Sequence, residues 1–152
     1  MDGAGLPNLL RQLTEMSPPH FCLYRGELPP DVAACAPYLV ELVADSLFME
    51  WALDAVWGNN GGIFAVAAAG LIEMRKHFRK FLMVKDPDGS SIYFRYYDPR
   101  VLRVYLPTCN TEEANYIYGP VQSFGMEDDT GENLLKIRCD SSGIQVQTIP
   151  LS

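Results

Sequence analysis

Met83-Val84-Lys85-Asp86-Pro87-Asp88-Gly89-Ser90-Ser91-Ile92-Tyr93-Phe94-Arg95-Tyr96-Tyr97-Asp98-Pro99-Arg100-Val101-Leu102 is the stretch that decides the fold. Asp86-Pro87-Asp88-Gly89 is a turn with a mechanism, since Pro presets φ and Gly supplies positive φ. The apolar runs on either side, 83–85 and 92–97, therefore read as a β-hairpin. Alternation along the second run puts Ile92, Phe94 and Tyr96 on one face and Tyr93, Arg95 and Tyr97 on the other. Asp98-Pro99 then opens a helix, with Asp98 as N-cap and Pro99 at the first position. Val101, Leu102, Tyr105 and Leu106 give that helix a buried side, and Pro107 ends it. A strand pair running directly into a helix predicts an α+β chain.

The segments before this block alternate between short helices and strands. Leu6, Leu9, Leu10 and Leu13 recur at helical spacing over about 6–16. Residues 21–24 and 38–42 read as strands, with a short helical turn from Pro30 to Cys35 between them. Asp45 or Ser46 caps a helix to Trp57, and Gly58 stops it. Residues 63–67 read as a strand, and Gly70 to about Leu82 as a helix with a basic face. Beyond the block, Thr111 caps a short helix to Tyr118. Residues 121–127, 134–140 and 144–149 then form a β-meander. The expected architecture is a mixed sheet packed with helices, a small helical segment and the C-terminal meander. It forms a single domain over 1–152, with a main α/β lobe over 1–110 and a smaller lobe over 111–152.

The chain has 152 residues, 48% hydrophobic and 20% charged, the composition of a globular domain rather than a disordered one. Its net charge of −7 disfavours nucleic acid and anionic membrane as partners. No basic, apolar leader opens it, and Gly61–Ile72 is too short to span a bilayer. The four cysteines, Cys22, Cys35, Cys109 and Cys139, form no C-x-x-C pair and read as free thiols in a reducing cytoplasm.

No catalytic or metal pattern stands out. His20 and Cys22 share a strand face, but Cys22 lies between Phe21 and Leu23 without a nucleophile signature. Scattered His and Cys make no zinc pattern, and residues 128–132 lack the ligand spacing of a calcium loop. Asp98 has the position of a general base, and the N-cap role explains it more simply. A small hydrolase using Cys22, His20 or Asp98 stays open as an alternative. So does a single-stranded nucleic-acid binder, because Arg interleaved with Tyr suits base stacking.

Charge is unevenly distributed. Residues 71–105 carry +4 and the remainder −11, and six of the eight tyrosines lie between 93 and 118. Tyr and Arg are enriched at protein interfaces, because Tyr buries area at small entropic loss and Arg offers planar donors. Arg75, Arg79, Arg95, Tyr97, Arg100 and Arg103 are accordingly the candidate partner-binding residues. Asp98, Pro99, Trp57 and Gly58 are structural motif residues, and no metal or cofactor is expected.

His77–Val84, Pro87-Asp88-Gly89 and Phe94–Leu102 together resemble one family, the bacterial type VI secretion effector adaptors, or chaperones. Gly26-Glu27-Leu28, Ala36–Val40, Trp57-Gly58, Gly62-Ile63-Phe64 and Tyr118–Val121 agree with it in order, so the likeness covers about residues 2–140. The resemblance implies a non-enzymatic cytoplasmic protein that binds a toxic effector and helps load it onto the VgrG spike protein. Relatives usually begin with a hydrophobic strand ending near Leu-Asp-Gly-Ala. Here Met1-Asp2-Gly3-Ala4 opens the chain, which implies one strand fewer and an open sheet edge. Many relatives also continue into a long variable C-terminal region, whereas this chain ends at Ser152.

Overall fold

In the C-terminal meander, β6 (Val121–Glu127), β7 (Asn133–Asp140) and β8 (Gly143–Pro150) pair in sequence. These belong to a computed structural model that describes residues 1–151. An earlier strand, β3 (Phe64–Ala67), adds to the free edge of β6 and makes the sheet order β3-β6-β7-β8. Phe64 lies opposite Gly125 and Ala65 opposite Phe124. β1 (His20–Cys22) pairs with β2 (Tyr38–Val40), and β4 (Met83–Lys85) pairs with β5 (Ser91–Tyr93). The α+β class expected from the sequence is what the chain forms. Strand direction needs a correction: each strand pair is antiparallel, so the sheets are not mixed. The 53-residue connection between β3 and β6 is long enough to return the chain in either direction.

Six α-helices among the described residues cover these sheets. In α1 (Leu9–Met16), Leu9 and Leu13 lie one turn apart and are both buried. A short α2 (Pro30–Cys35) leads into β2. Ser46 caps α3 (Leu47–Val56) by accepting from the Met49 N–H at 3.2 Å, and Gly58 leaves it at φ 73°. α4 (Leu71–Phe78) buries Met74, His77 and Phe78. α5 (Pro99–Tyr105) starts at Asp98 as expected and runs into a 3-10 turn at Leu106–Thr108. The cap of α6 (Thr111–Tyr118) is Asn110, not Thr111. Asn110 Oδ1 accepts from the Glu113 N–H while Glu113 Oε2 accepts from the Asn110 N–H, a reciprocal capping box.

The hairpin breaks the predicted alternation. β5 ends at Tyr93, and the chain then folds inward so that Tyr96 and Tyr97 are both buried while Ile92 and Tyr93 stay exposed. A turn bond from Asp98 N–H to the Arg95 carbonyl, 3.0 Å, marks where the chain leaves the sheet. Tyr96 stacks on Phe78 with centroids 5.6 Å apart and donates its hydroxyl to the Phe78 carbonyl at 2.9 Å.

Two apolar cores result. The larger joins Met74, Phe78, Phe81, Tyr96 and Leu102 to Phe124, Met126 and Ile137 of the meander. The smaller joins Leu6, Leu9 and Leu13 of the N-terminal segment to Tyr38, Phe48, Ala52 and Val56. The chain's opening residues are tied in between β2 and β3. Met1 and Tyr38 exchange backbone bonds of 2.9 Å each, and Asp2 N–H donates to the Gly61 carbonyl at 2.8 Å.

Candidate partner-binding surface

The six candidate residues separate into two kinds. Arg79, in the turn after α4, donates to three successive carbonyls: Cys22 at 2.9 Å, Leu23 at 3.0 Å and Tyr24 at 2.9 Å. Arg103 of α5 donates to the Asp128 carbonyl at 2.9 Å and, more loosely, to that of Glu127 at 3.4 Å. Both guanidinia are engaged with backbone carbonyls of the fold itself. Arg75 lies over the Phe21 ring, 4.2 Å from its centroid, and its buried Nε has no protein partner. These three brace β1 and the end of β6.

Arg95, Tyr97 and Arg100 come together around two buried carboxylates. Arg95 pairs with Asp2 and lies 3.9 Å from Asp98, while its own side chain is 45% exposed. Arg100 grips Asp98 in bidentate fashion, Nε to Oδ1 at 3.0 Å and Nη2 to Oδ2 at 2.8 Å, with its side chain 60% exposed. Asp98 Oδ1 also accepts from the Arg100 backbone N–H at 3.0 Å, which is the N-cap bond. Burial opposes the charge on Asp98, but the bonds from Arg100 outweigh it and hold the carboxyl below its usual range. Tyr97 is buried beside Arg95, its ring 5.8 Å from that guanidinium, and burial pushes its phenol well up. The cluster is a line of alternating charges, Asp2, Arg95, Asp98 and Arg100, whose carboxylates are buried and whose two guanidinia reach solvent.

Trp57 and Gly58 serve a different junction. Trp57 Nε1 donates to the Gly131 carbonyl at 2.7 Å. The buried Glu127 carboxylate receives the Gly58 N–H at 2.6 Å and the Asn60 N–H at 2.5 Å. The α3 terminus is thereby fastened to the β6–β7 turn. Neither Glu127 nor Asp2 was indicated by sequence spacing; each meets its partner across a long stretch of chain.

The family model described as Domain of unknown function (DUF4123) matches residues 1–116. The chain belongs to the DUF4123 family. DUF4123 is associated with type VI secretion effector adaptors. No curated protein and no solved structure matches this chain. The DUF4123 segment contains all six candidate residues and stops short of β6, so the meander and Glu127 lie beyond it.

The DUF4123 segment also carries most of the exposed apolar surface. The β4–β5 hairpin presents Met83, Ile92 and Tyr93, with Tyr93 66% exposed. Tyr24 lies beside Tyr93, ring centroids 6.1 Å apart. Surrounding Lys80 and Lys85 are at the surface. Catalytic chemistry finds less support in the geometry. Burial pushes the Cys22 thiol up, the opposite of an activated nucleophile. His20 Nδ1 is engaged with the Pro18 carbonyl at 2.7 Å, and buried His77 with that of Ile117 at 2.8 Å. Among the described residues, no three His, Cys, Asp or Glu side chains gather as metal ligands, and no helix is long and apolar enough to cross a membrane.

Proposed function

We propose that this chain is an adaptor that binds a type VI secretion effector in the cytoplasm and helps load it onto the VgrG spike. The observation carrying the reading is the DUF4123 match over residues 1–116, which spans α1 to α5, most of α6 and all six candidate residues. The surface described above supports a protein partner. Arg95 follows the apolar hairpin directly and Arg100 shares its carboxylate Asp98, and aromatic and arginine side chains dominate binding energetics at interfaces. The partner patch facing them is acidic around an apolar centre. The role is binding, without catalysis, cofactor or metal, and without nucleic acid or membrane as partner.

Co-expression with the products of the neighbouring effector and spike genes, followed by affinity capture on this chain, tests the reading. A soluble complex with the effector is expected. Tyr93→Ala, at an exposed ring, is expected to weaken it while the isolated chain keeps its melting temperature. Capture of neither effector nor spike product would overturn the proposal.

A further inference from the structure

β6 and β7 do not stay together over their whole length. β7 remains paired with β8 to its end, Asp140 opposite Gly143, but its ladder with β6 stops three residues earlier, at Ile137 opposite Phe124. A bulge lies at the same place. Val66 faces Ser123 and Ala67 faces Val121, so Gln122 has no counterpart on β3. α6 crosses the resulting fork and touches β6, β7 and β8. Between these elements is an open pocket of about 720 Å³. Pro150 and Leu151 lie at the other end of β8, where Pro150 pairs with Asn133 and the Leu151 N–H bonds to the Glu132 carbonyl.

Wall and rim of this pocket differ in chemistry. Ala114, Val121 and Ile144 supply an apolar wall, while exposed Asn115, Gln122 and Ser141 supply neutral oxygens at the rim. Among the described residues, Asp140 is the one charged side chain lining it. Asp140 Oδ1 accepts from the Ser142 N–H at 2.7 Å and its hydroxyl at 2.5 Å, bonds that hold the carboxyl below its usual range. Its Oδ2 has no partner among the described residues, and Arg138 stays off the pocket wall. Tyr118 is buried in the wall with its hydroxyl unpartnered. Residues 111–152 hold seven acidic and two basic side chains, a net charge of −5. An anionic ligand is therefore repelled, and an apolar one leaves the free carboxylate oxygen unanswered. A long apolar stem ending in a planar cation with several donors matches both wall and rim.

We propose that the fork between β6 and β7 receives an arginine side chain from a partner polypeptide. Its stem lies on Ala114, Val121 and Ile144, and its guanidinium reaches Asp140 Oδ2 and the rim oxygens. This site is opposite in sign to the face that carries Arg95 and Arg100. It is built mainly from the meander, beyond the residues that the family model matches. A protein that holds two partners thereby has two docking places that do not compete, one for an acidic patch and one for a basic segment. The inference rests on the adaptor reading only for the identity of the partner.

The test uses the intact chain and two synthetic peptides, acetyl-Gly-Ser-Arg-Ser-Gly-amide and the same peptide with citrulline in place of arginine. Citrulline keeps the shape and loses the charge. In amide NMR spectra the arginine peptide is expected to shift residues 114–122 and 138–144, with affinity falling as salt is raised. The citrulline peptide is expected to bind roughly fivefold more weakly. Asp140→Asn keeps an oxygen for the Ser142 turn and removes the charge, so it should cause a similar loss at an unchanged melting temperature. Gln122→Lys sets a cation at the exposed mouth and should abolish the shifts. Absence of shifts overturns the proposal, as do equal affinities for the two peptides or binding that survives both substitutions. Capture of the effector and spike products by the two variants tests the partner. Loss of one of them supports the proposal, and undiminished capture of both overturns it. Failure of capture by the unaltered chain would instead overturn the adaptor reading and leave the peptide result standing.

Discussion

The Glu127 carboxylate receives the backbone N–H of Gly58 at 2.6 Å, joining residues 69 positions apart. With the Asn60 N–H also bound, a buried anion is satisfied by two amides at the end of α3. Glu127→Gln turns one of these contacts into donor against donor, and Glu127→Ala leaves both amides without a partner. Either change is expected to destabilise by about 1–3 kcal/mol in urea unfolding. A neutral result for Glu127→Ala would mean that water replaces the carboxylate at no loss.

The arginines divide by what they hold. Arg79→Met removes three charge-assisted bonds to consecutive carbonyls and is expected to cost about 2–3 kcal/mol. Arg100→Gln removes the bidentate pair but leaves the buried Asp98 its backbone cap bond and Arg95, and is expected to cost less than Arg79→Met, about 1 kcal/mol. Chemical denaturation of both variants checks the order. Equal losses would erase the distinction between bracing and presenting arginines.

Acid weakens the Asp98 junction. The folded value lies below the ordinary 3.8 of an aspartate, so the unfolded chain takes up the proton first. The stability it contributes is complete above that value and is lost as pH falls through the folded one. Asp98→Asn is expected to flatten the acid limb of a urea-midpoint profile between about pH 5 and pH 2. Asp98→Ala at neutral pH also loses the cap, about 1–2 kcal/mol. An unchanged acid limb in Asp98→Asn would remove the carboxylate from this account.

His77 gives a second pH response, at a higher range. Burial lowers its value below 6.5 against the opposing bond to Ile117, so the ring is neutral when folded. The unfolded chain protonates first here too, and stability is expected to decline as pH drops below about 6.5. His77→Gln should remove that slope. The same ring fixes Gly119, which has φ +46° and whose added Cβ would lie 2.5 Å from His77 Cε1. Gly119→Ala is therefore expected to destabilise by about 2 kcal/mol or more, read from the melting temperature.

Local chemistry in the sequence reports where α3 and α5 start, whereas α4 stops at Phe78, short of the expected Leu82, and α6 is capped one residue earlier than expected. Ser46, Asp98-Pro99 and Gly58 announce termini because capping involves neighbours two or three residues away. The meander is legible for the same reason, since its turns lie between its strands. What the sequence does not announce is any bond that needs the finished fold. Arg79 looks like one more cation on a basic helix face until Cys22, Leu23 and Tyr24 arrive beneath it. Asp2 and Arg95 are 93 positions apart, and nothing in either neighbourhood marks the pair. Tyr96 and Tyr97 obey alternation only while the strand lasts, and the inward turn after Tyr93 buries both. A +4 segment consequently presents fewer free cations than its composition promises.

The pairing of β3 with β6 has a consequence for synthesis. Ala67 leaves the ribosome 54 residues ahead of Val121, its partner in the ladder. At roughly 5–20 residues per second, that is a delay of about 3–11 s. Through this interval Phe64–Ala67 lacks β6, its partner strand, and the aromatic cluster of Phe78, Phe81 and Tyr96 waits for Phe124 to cover it. The nascent chain therefore emerges with its own sticky edge uncovered, and slowing translation between codons 67 and 121 should lower the soluble yield.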